Sequence, residues 1–235
     1  MNDVKMWVLG TPKFKAGDVY FVRGRSIISV LIRLVISIRY GIPYNDTYSH
    51  TEVQVDETSH VSAEPNGVMV VENDNSSIMH ASRVEVYRIK MNSLKIKKLV
   101  STAMSFVGKG YAYARYLLDS WRIGMFYLSI VAVSKLIIGK WNGWVLVGVA
   151  IGFVAVEKVL KYYDIRTMDC AEVVAASFDA AGVMPVLGKA RDDHPSGIRK
   201  SVKTLEWNGK AELIAWRTNK SGGWMIKNPN SVVKK

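Results

Sequence analysis

The sequence predicts an α+β fold, and two observations support that prediction. Short segments between residues 16 and 89 combine β-forming residues with turn signals between them, as strands do. Other segments repeat apolar residues at helical spacing. The later strand segments follow one another without an intervening helix, which predicts a small antiparallel sheet with helices packed on it.

The first elements have clear boundary signals. "AGDVYFVR" at 16–23 reads as a turn followed by a strand. In "SIISVLIRLVISIRYG" the apolar residues recur at helical spacing, Ser26 is a suitable N-cap and Gly41 a suitable stop. These signals predict a strand followed directly by a helix.

The next strands carry the polar residues of interest. "SHTEVQV" at 49–55 alternates, with His50, Glu52 and Gln54 on one face. Three further predicted strands follow, "HVSAE", "GVMVVE" and "RVEVYRI", the first two of them joined through a Pro65-Asn66-Gly67 turn. A helix is predicted over 93–107.

Residues 121–160 are predicted to form an inserted apolar helical hairpin. Its arms, 125–138 and 144–156, are joined by "GKWNG", and each is shorter than the roughly 20 apolar residues of a membrane span. We therefore favour a hairpin packed on the domain or on a protein partner, with Gly148 and Gly152 at a helix–helix contact. The alternative is peripheral membrane contact, which the tryptophans and lysines at the joint would suit.

The charge of the chain predicts anionic partners. The formal net charge is +12, and residues 187–235 contain 11 Lys and Arg against four acidic residues. We interpret 1–235 as a single domain in which 204–235 is a basic C-terminal extension that contacts an anionic surface. Zinc-finger spacing, RNA-binding aromatic motifs and a phosphate loop are missing from the sequence, so specific nucleic-acid recognition is not expected.

The chain has one cysteine, which excludes an internal disulfide. Its N-terminal segment lacks the apolar region and cleavage site of a secretory signal. These features predict a cytoplasmic or virion-associated protein that does not use a secretory signal peptide.

That cysteine, Cys170, lies where a helix is predicted to begin. Asp169 and Glu172 fit a capping box, which puts Cys170 at the first helical position. Unpaired backbone N–H groups and the helix dipole favour a thiolate there. The alternative is an inert cysteine in the core.

A nucleophilic cysteine needs a base within hydrogen-bond reach. Among the four histidines, His50 lies mid-strand on a polar face, where an imidazole needs partners. We interpret His60, His80 and His194 as structural residues.

Five short motifs in order resemble one family. "AGDVYFVRG", "YSHTEVQV", "SAEPNGVMV", "VGKGYAYA" and "DCAEVVAASFDAAG" are similar to the circularly permuted NlpC-like branch of the papain-fold enzymes. The likeness spans about 14–203, including "HPSGIRKS", and does not account for the hairpin. It implies a papain-like sheet with the Cys170 helix packed on it.

The resemblance also implies a catalytic set. Cys170 would be the nucleophile, His50 the base, and Glu64 the residue that orients the imidazole. Glu52 is the competing orienting residue, but it lies two residues along the same strand and points the same way as His50, so Glu64 is preferred. No cofactor and no metal are expected.

The resemblance implies a cysteine hydrolase that cleaves a peptide amide, most plausibly in bacterial peptidoglycan, through a thioester. Relatives of this branch include lecithin:retinol acyltransferase-like enzymes, so a lipid acyltransferase or thioesterase is the alternative. A structural or virion protein on the same scaffold is a third interpretation.

Overall fold

The computed structural model describes most of the chain outside the predicted hairpin. The described residues are 7–73, 77–111, 167–183, 194–219, 221 and 223–227, together with scattered helical positions between 121 and 158. They form a mixed structure of helices and antiparallel sheet, as the sequence predicted.

Ten strands and four helices have defined bounds. The strands are β1 Trp7–Leu9, β2 Asp18–Arg23, β3 His50–Gln54, β4 Ser59–Glu64, β5 Gly67–Glu72, β6 Arg83–Ile89, β7 Gly110–Tyr111, β8 Thr167–Met168, β9 Ala211–Thr218 and β10 Met225–Lys227. The helices are α1 Ile27–Tyr40, α2 Ser93–Met104, α3 Cys170–Ala180 and α4 Pro195–Trp207.

Eight strands form one antiparallel sheet in the order β1-β10-β9-β6-β2-β3-β4-β5. The sheet is larger than the four or five strands that the sequence suggested. Helix α3 packs on β3, β4, α2 and α4. Helix α4 packs on β2, β6 and β9.

The sequence signals set the ends of α1 as expected. The side chain of Ser26 accepts a hydrogen bond from the backbone N–H of Ser29 at 3.1 Å. Gly41 ends the helix with φ of 64°, a left-handed conformation that glycine adopts without a Cβ clash. The chain then reaches β3 through a short 3-10 turn, Tyr44–Asp46.

The prediction of a basic C-terminal extension over 204–235 needs correction. The first of these residues complete α4, and β9 lies between β10 and β6 within the sheet. Ala211 and Ala215 of β9 are buried. Of the basic residues in this range, Arg217 lies on β9 and Lys227 on β10, so this part of the range belongs to the sheet.

The chain divides into two compact units, and the second takes in the predicted insertion at 121–160. One contains Met1–Gly108 and Cys170–Lys235, and the other contains Lys109–Asp169. In the second unit, β7 and β8 pair in parallel, so the two ends of the inserted segment lie side by side.

The predicted hairpin lies largely outside the described residues. The positions described within 121–158 are helical. Gly148 and Gly152 are exposed, and an added Cβ at either would meet no described atom within 4 Å, so the predicted glycine contact is not formed among the described residues. Within the described part of the chain, none of the helices has the length and apolar character needed to cross a bilayer.

A buried ion pair fixes α4 to the sheet. The guanidinium of Arg199 donates to both carboxylate oxygens of Glu85 on β6, at 2.6 and 3.0 Å. Burial raises the pKa of Glu85, but hydrogen bonds and charge from Arg199 outweigh it, so the pKa is lowered overall. Arg83 makes a second, more exposed ion pair with the same carboxylate.

We expect Arg199→Met to lower the free energy of unfolding by about 3 kcal/mol, because it leaves a buried carboxylate with one partner fewer. The matched control, Arg83→Met, should cost less than about 1 kcal/mol, since that side chain is 43% exposed. Urea unfolding at neutral pH measures both. Because the folded-state pKa of Glu85 is lowered, the Arg199 effect should shrink as the pH falls below about 4. Equal losses for the two variants would contradict this account.

Candidate active site

The site is built on one face of β3 and β4. Val53 pairs with Val61, and Gln54 with His60. Continuing this antiparallel register puts Glu52 opposite Ser62 and His50 opposite Glu64. Because alternate residues share a face, two strands give one row of polar side chains.

Three oxygens surround one nitrogen of His50. Its Nε2 lies 2.8 Å from Ser62 Oγ, 3.0 Å from Glu52 Oε1 and 3.8 Å from Glu64 Oε1. The Ser62 hydroxyl also lies 3.0 Å from Glu64 Oε1 and 3.3 Å from Glu52 Oε1. The Nε2 environment is thus rich in acceptors and favours a proton on that nitrogen.

Glu52 lies between two imidazoles. Its Oε1 faces His50, and its Oε2 lies 3.2 Å from Nε2 of His60. Neither Glu52 nor His60 has exposed side-chain surface. His60 in turn is held by Asn73, whose Oδ1 lies 3.0 Å from Nδ1. The approach of Glu52 Oε2 to His60 is an electrostatic contact without hydrogen-bond geometry, so the His60 ring is oriented by Asn73.

The first residue of α3 places its thiol beside the polar side chains of β3 and β4. Cys170 is the first helical residue, as predicted, and is buried with 1% of its surface exposed. Helix α3 packs on β3, and the Cys170 thiol is close enough to His50 to raise the pKa of its imidazole.

The neighbours of His50 favour its charged form. Burial lowers its pKa, but the charge and hydrogen bond of Cys170, together with Glu52, outweigh burial and raise the pKa well above 6.5. The protonated ring would therefore persist at neutral pH. A positively charged imidazole beside a thiol is the arrangement that stabilises a thiolate.

The catalytic residues predicted from the sequence lie in one cluster, but the structure reverses the predicted order of the two carboxylates that could orient His50. Cys170, His50 and Glu64 lie in one cluster, but Glu52 is nearer to His50 than Glu64 is. Glu64 is also the more exposed carboxylate, with 26% of its side chain accessible. Ser62 was not singled out from the sequence, and His60 was interpreted there as a structural residue. Their alternation on the strand next to that of His50 was the signal that could have identified them.

His194 is placed away from this chemistry. Its Nδ1 accepts a hydrogen bond from Gly197 N at 3.2 Å and so caps α4, and its ring stacks on Tyr40 with centroids 4.0 Å apart. Burial and the charge of Arg39 lower its pKa to about 4, which keeps it neutral. These contacts agree with the structural role expected from the sequence.

A metal could also meet ligands here. His50, Glu52 and Glu64 each offer an atom within 4.8 Å of the others. Nε2 of His50 already lies against Glu52 and Glu64 in this structure. The expectation that the site works without metal stays an expectation.

Comparison with known proteins adds no identification. No protein-family model matches the chain, and the search of curated proteins gives no match.

We expect alkylation of Cys170 to depend weakly on pH. A free thiol with a pKa of about 8.5 gains roughly two orders of magnitude in rate between pH 6 and pH 8. In the native protein the ratio of the two rates should be much smaller, because His50 stays protonated beside the thiol. Iodoacetamide labelling followed by mass spectrometry measures it, and the single cysteine makes the labelled site unambiguous.

The controls are His50→Ala and the wild-type chain unfolded in urea. Both should show the steep pH dependence of a free thiol. Using a ratio of rates removes the effect of burial on access. The same ratio in the native protein and in His50→Ala would show that the imidazole does not activate the thiol.

A second prediction ranks the two carboxylates. Glu52→Gln should slow labelling at pH 6 about tenfold, which corresponds to about 1.4 kcal/mol of lost interaction with the imidazolium. Glu64→Gln, its matched control on the neighbouring strand, should have a smaller effect because its oxygen is 3.8 Å away and partly exposed. Urea unfolding of both variants separates this effect from loss of fold. A larger effect of Glu64→Gln would restore the ranking inferred from sequence.

Proposed function

We propose that this protein is a cysteine hydrolase that works by acyl transfer to Cys170. The observation that carries the proposal is the position of Cys170 at the start of a helix packed on β3, where it raises the pKa of His50, while Glu52 and Glu64 lie against Nε2 of the same ring. Nucleophile, base and orienting group in series are the arrangement that thiol hydrolases need. The likeness to permuted NlpC-like enzymes, and with it a papain-like fold, belongs to this proposal.

The first half-reaction forms a thioester. The Cys170 thiolate attacks the carbonyl carbon of the substrate, and the electron pair of the carbonyl moves onto its oxygen. The tetrahedral intermediate collapses as the carbon–nitrogen or carbon–oxygen bond breaks, and protonated His50 gives its proton to the departing amine or alcohol. The acyl group is then held on sulfur.

The second half-reaction releases the acid. His50, now neutral, takes a proton from water as the water oxygen attacks the thioester carbon. The carbon–sulfur bond breaks, which leaves a carboxylic acid and returns Cys170 with His50 to the starting state. Glu52, and more weakly Glu64, stabilise the imidazolium in both halves.

The helix start supplies part of the stabilisation of the oxyanion. As the first residue of α3, Cys170 has a backbone N–H that no earlier turn of the helix occupies. A backbone donor of this kind lowers the barrier by about 3 kcal/mol when it points at the developing oxyanion. The nucleophile therefore carries one oxyanion donor of its own.

We propose a peptide amide in anionic bacterial peptidoglycan as the substrate. The net charge of +12 suits such a polymer. A lipid ester is the second candidate, because α1 exposes several large apolar residues at the end of β2, next to β3.

Product analysis separates these candidates. Wild type should release peptide fragments from purified peptidoglycan, detected by mass spectrometry, and Cys170→Ala should release none. Fatty acid released from phospholipid vesicles, or a lipid thioester on Cys170, would instead show the second activity. If neither product forms with folded protein, the hydrolase proposal is wrong and a structural role takes its place.

A further inference from the structure

Helix α1 has its apolar side outward. Its buried residues are Ile32, Arg33 and Ile36. Its exposed side carries four large apolar residues at spacings of 4, 3 and 4, which we call the α1 stripe: Ile27, Leu31, Leu34 and Ile38, with 80%, 52%, 45% and 48% of their surface exposed. Residues at this spacing lie in line along one helix face.

The orientation of α1 is fixed by polar contacts on its inner side. The Arg33 guanidinium donates to Thr47 Oγ1 at 3.3 Å and to the Tyr44 carbonyl at 3.2 Å, and it lies 4.1 Å from the centre of the Tyr44 ring. A surface helix ordinarily buries its leucines and exposes its arginines. Here an arginine is held inside, so the stripe faces outward as a result of specific contacts.

A continuous exposed stripe marks a contact surface. Single exposed apolar residues are common on soluble domains, whereas adjoining ones on one face are not. Ile28 and Val30 are also exposed and widen the stripe. We therefore expect the α1 stripe to contact an apolar surface that is not part of this domain.

The charges around the stripe identify that environment. Residues 19–45 contain four arginines and no acidic residue. Arg25 and Arg39 lie near the two ends of the helix, and both are exposed. In a twofold dimer through α1 these arginines would face one another, which like charge disfavours. An anionic surface with an apolar interior matches both the stripe and the charges.

We propose that α1 lies in the interface of an anionic lipid bilayer, with the α1 stripe toward the acyl chains and Arg25 and Arg39 at the headgroup phosphates. At 14 residues and 1.5 Å per residue, the helix is about 21 Å long, shorter than a hydrocarbon core of roughly 30 Å. It therefore lies along the surface rather than crossing it.

The docking helix is next to the candidate active site. Val22 of β2, just before α1, pairs with His50, and the N–H of Gly24 donates to Ser49 Oγ at 2.9 Å. The bilayer would thus meet the end of β3 that carries His50. This placement would suit a lipid ester, the second candidate substrate, and in that respect alone it rests on the proposed function.

Vesicle flotation tests the docking. Wild type should bind vesicles made of equal parts phosphatidylglycerol and phosphatidylcholine, and should bind pure phosphatidylcholine more weakly. Leu31→Asp combined with Leu34→Asp should reduce binding to the mixed vesicles at least tenfold. Leu94→Asp is the matched control, since Leu94 on α2 is also strongly exposed, and it should bind like wild type. Urea unfolding checks that each variant keeps its fold.

Two other results of this experiment would contradict the proposal. Unchanged binding by the double variant would assign membrane contact to another surface, such as 121–160. The wild-type protein could instead fail to bind vesicles and form a dimer that the double variant does not form. That result would show that α1 is an interface between two copies of the chain. Cys170→Ala should bind as wild type does, so loss of hydrolysis and loss of docking are read separately.

Discussion

The buried carboxylate of Glu52 constrains the rest of the candidate site. A carboxylate without exposed surface must be surrounded by donors, and here it has an imidazole on each side, with the Ser62 hydroxyl nearby. These contacts require β3 and β4 to pair in one register, since a slip of one residue would turn each polar side chain to the opposite face. Once the register is fixed, Nε2 of His50 is directed at carboxylates. The pairing of β3 with β4 thereby positions the imidazole for catalysis.

The sheet and the helix make different contributions to the site. The sheet places Glu52 beside His50, which adds to the rise in the pKa of His50 that Cys170 of α3 mainly causes. Helix α3 contributes a first-turn cysteine, a backbone donor and the positive end of its dipole. The Arg199–Glu85 pair ties α4, on which α3 packs, to β6. A buried ion pair outside the cluster therefore helps to hold its two halves in place.

The local elements could be predicted from sequence, and the choice between carboxylates could not. Ser26 and Gly41 marked the ends of α1, and the capping pattern placed Cys170 at a helix start. The preference for Glu64 relied on a family pattern, whereas side-chain rotamers decide which of two carboxylates on one face comes closer. The charge count over 187–235 likewise obscured β9, because it pools the basic residues of α4 and of the strands into one number. The outward orientation of α1 depends on where Arg33 finds its partners, and that is settled only by the tertiary fold.

The interruption of the main unit by a second one has a kinetic consequence. Strands β3, β4 and β5 are neighbours in sequence and form by closing short loops. The partners Glu85 and Arg199 are 114 residues apart, and Tyr48 and Ser196, which also hydrogen-bond, are 148 apart. Such contacts carry a larger loop-closure entropy and form slowly. During refolding the histidine half of the site would therefore be in place before the cysteine half reaches it. An increase in the reactivity of the Cys170 thiol would then mark a late step of folding rather than an early one.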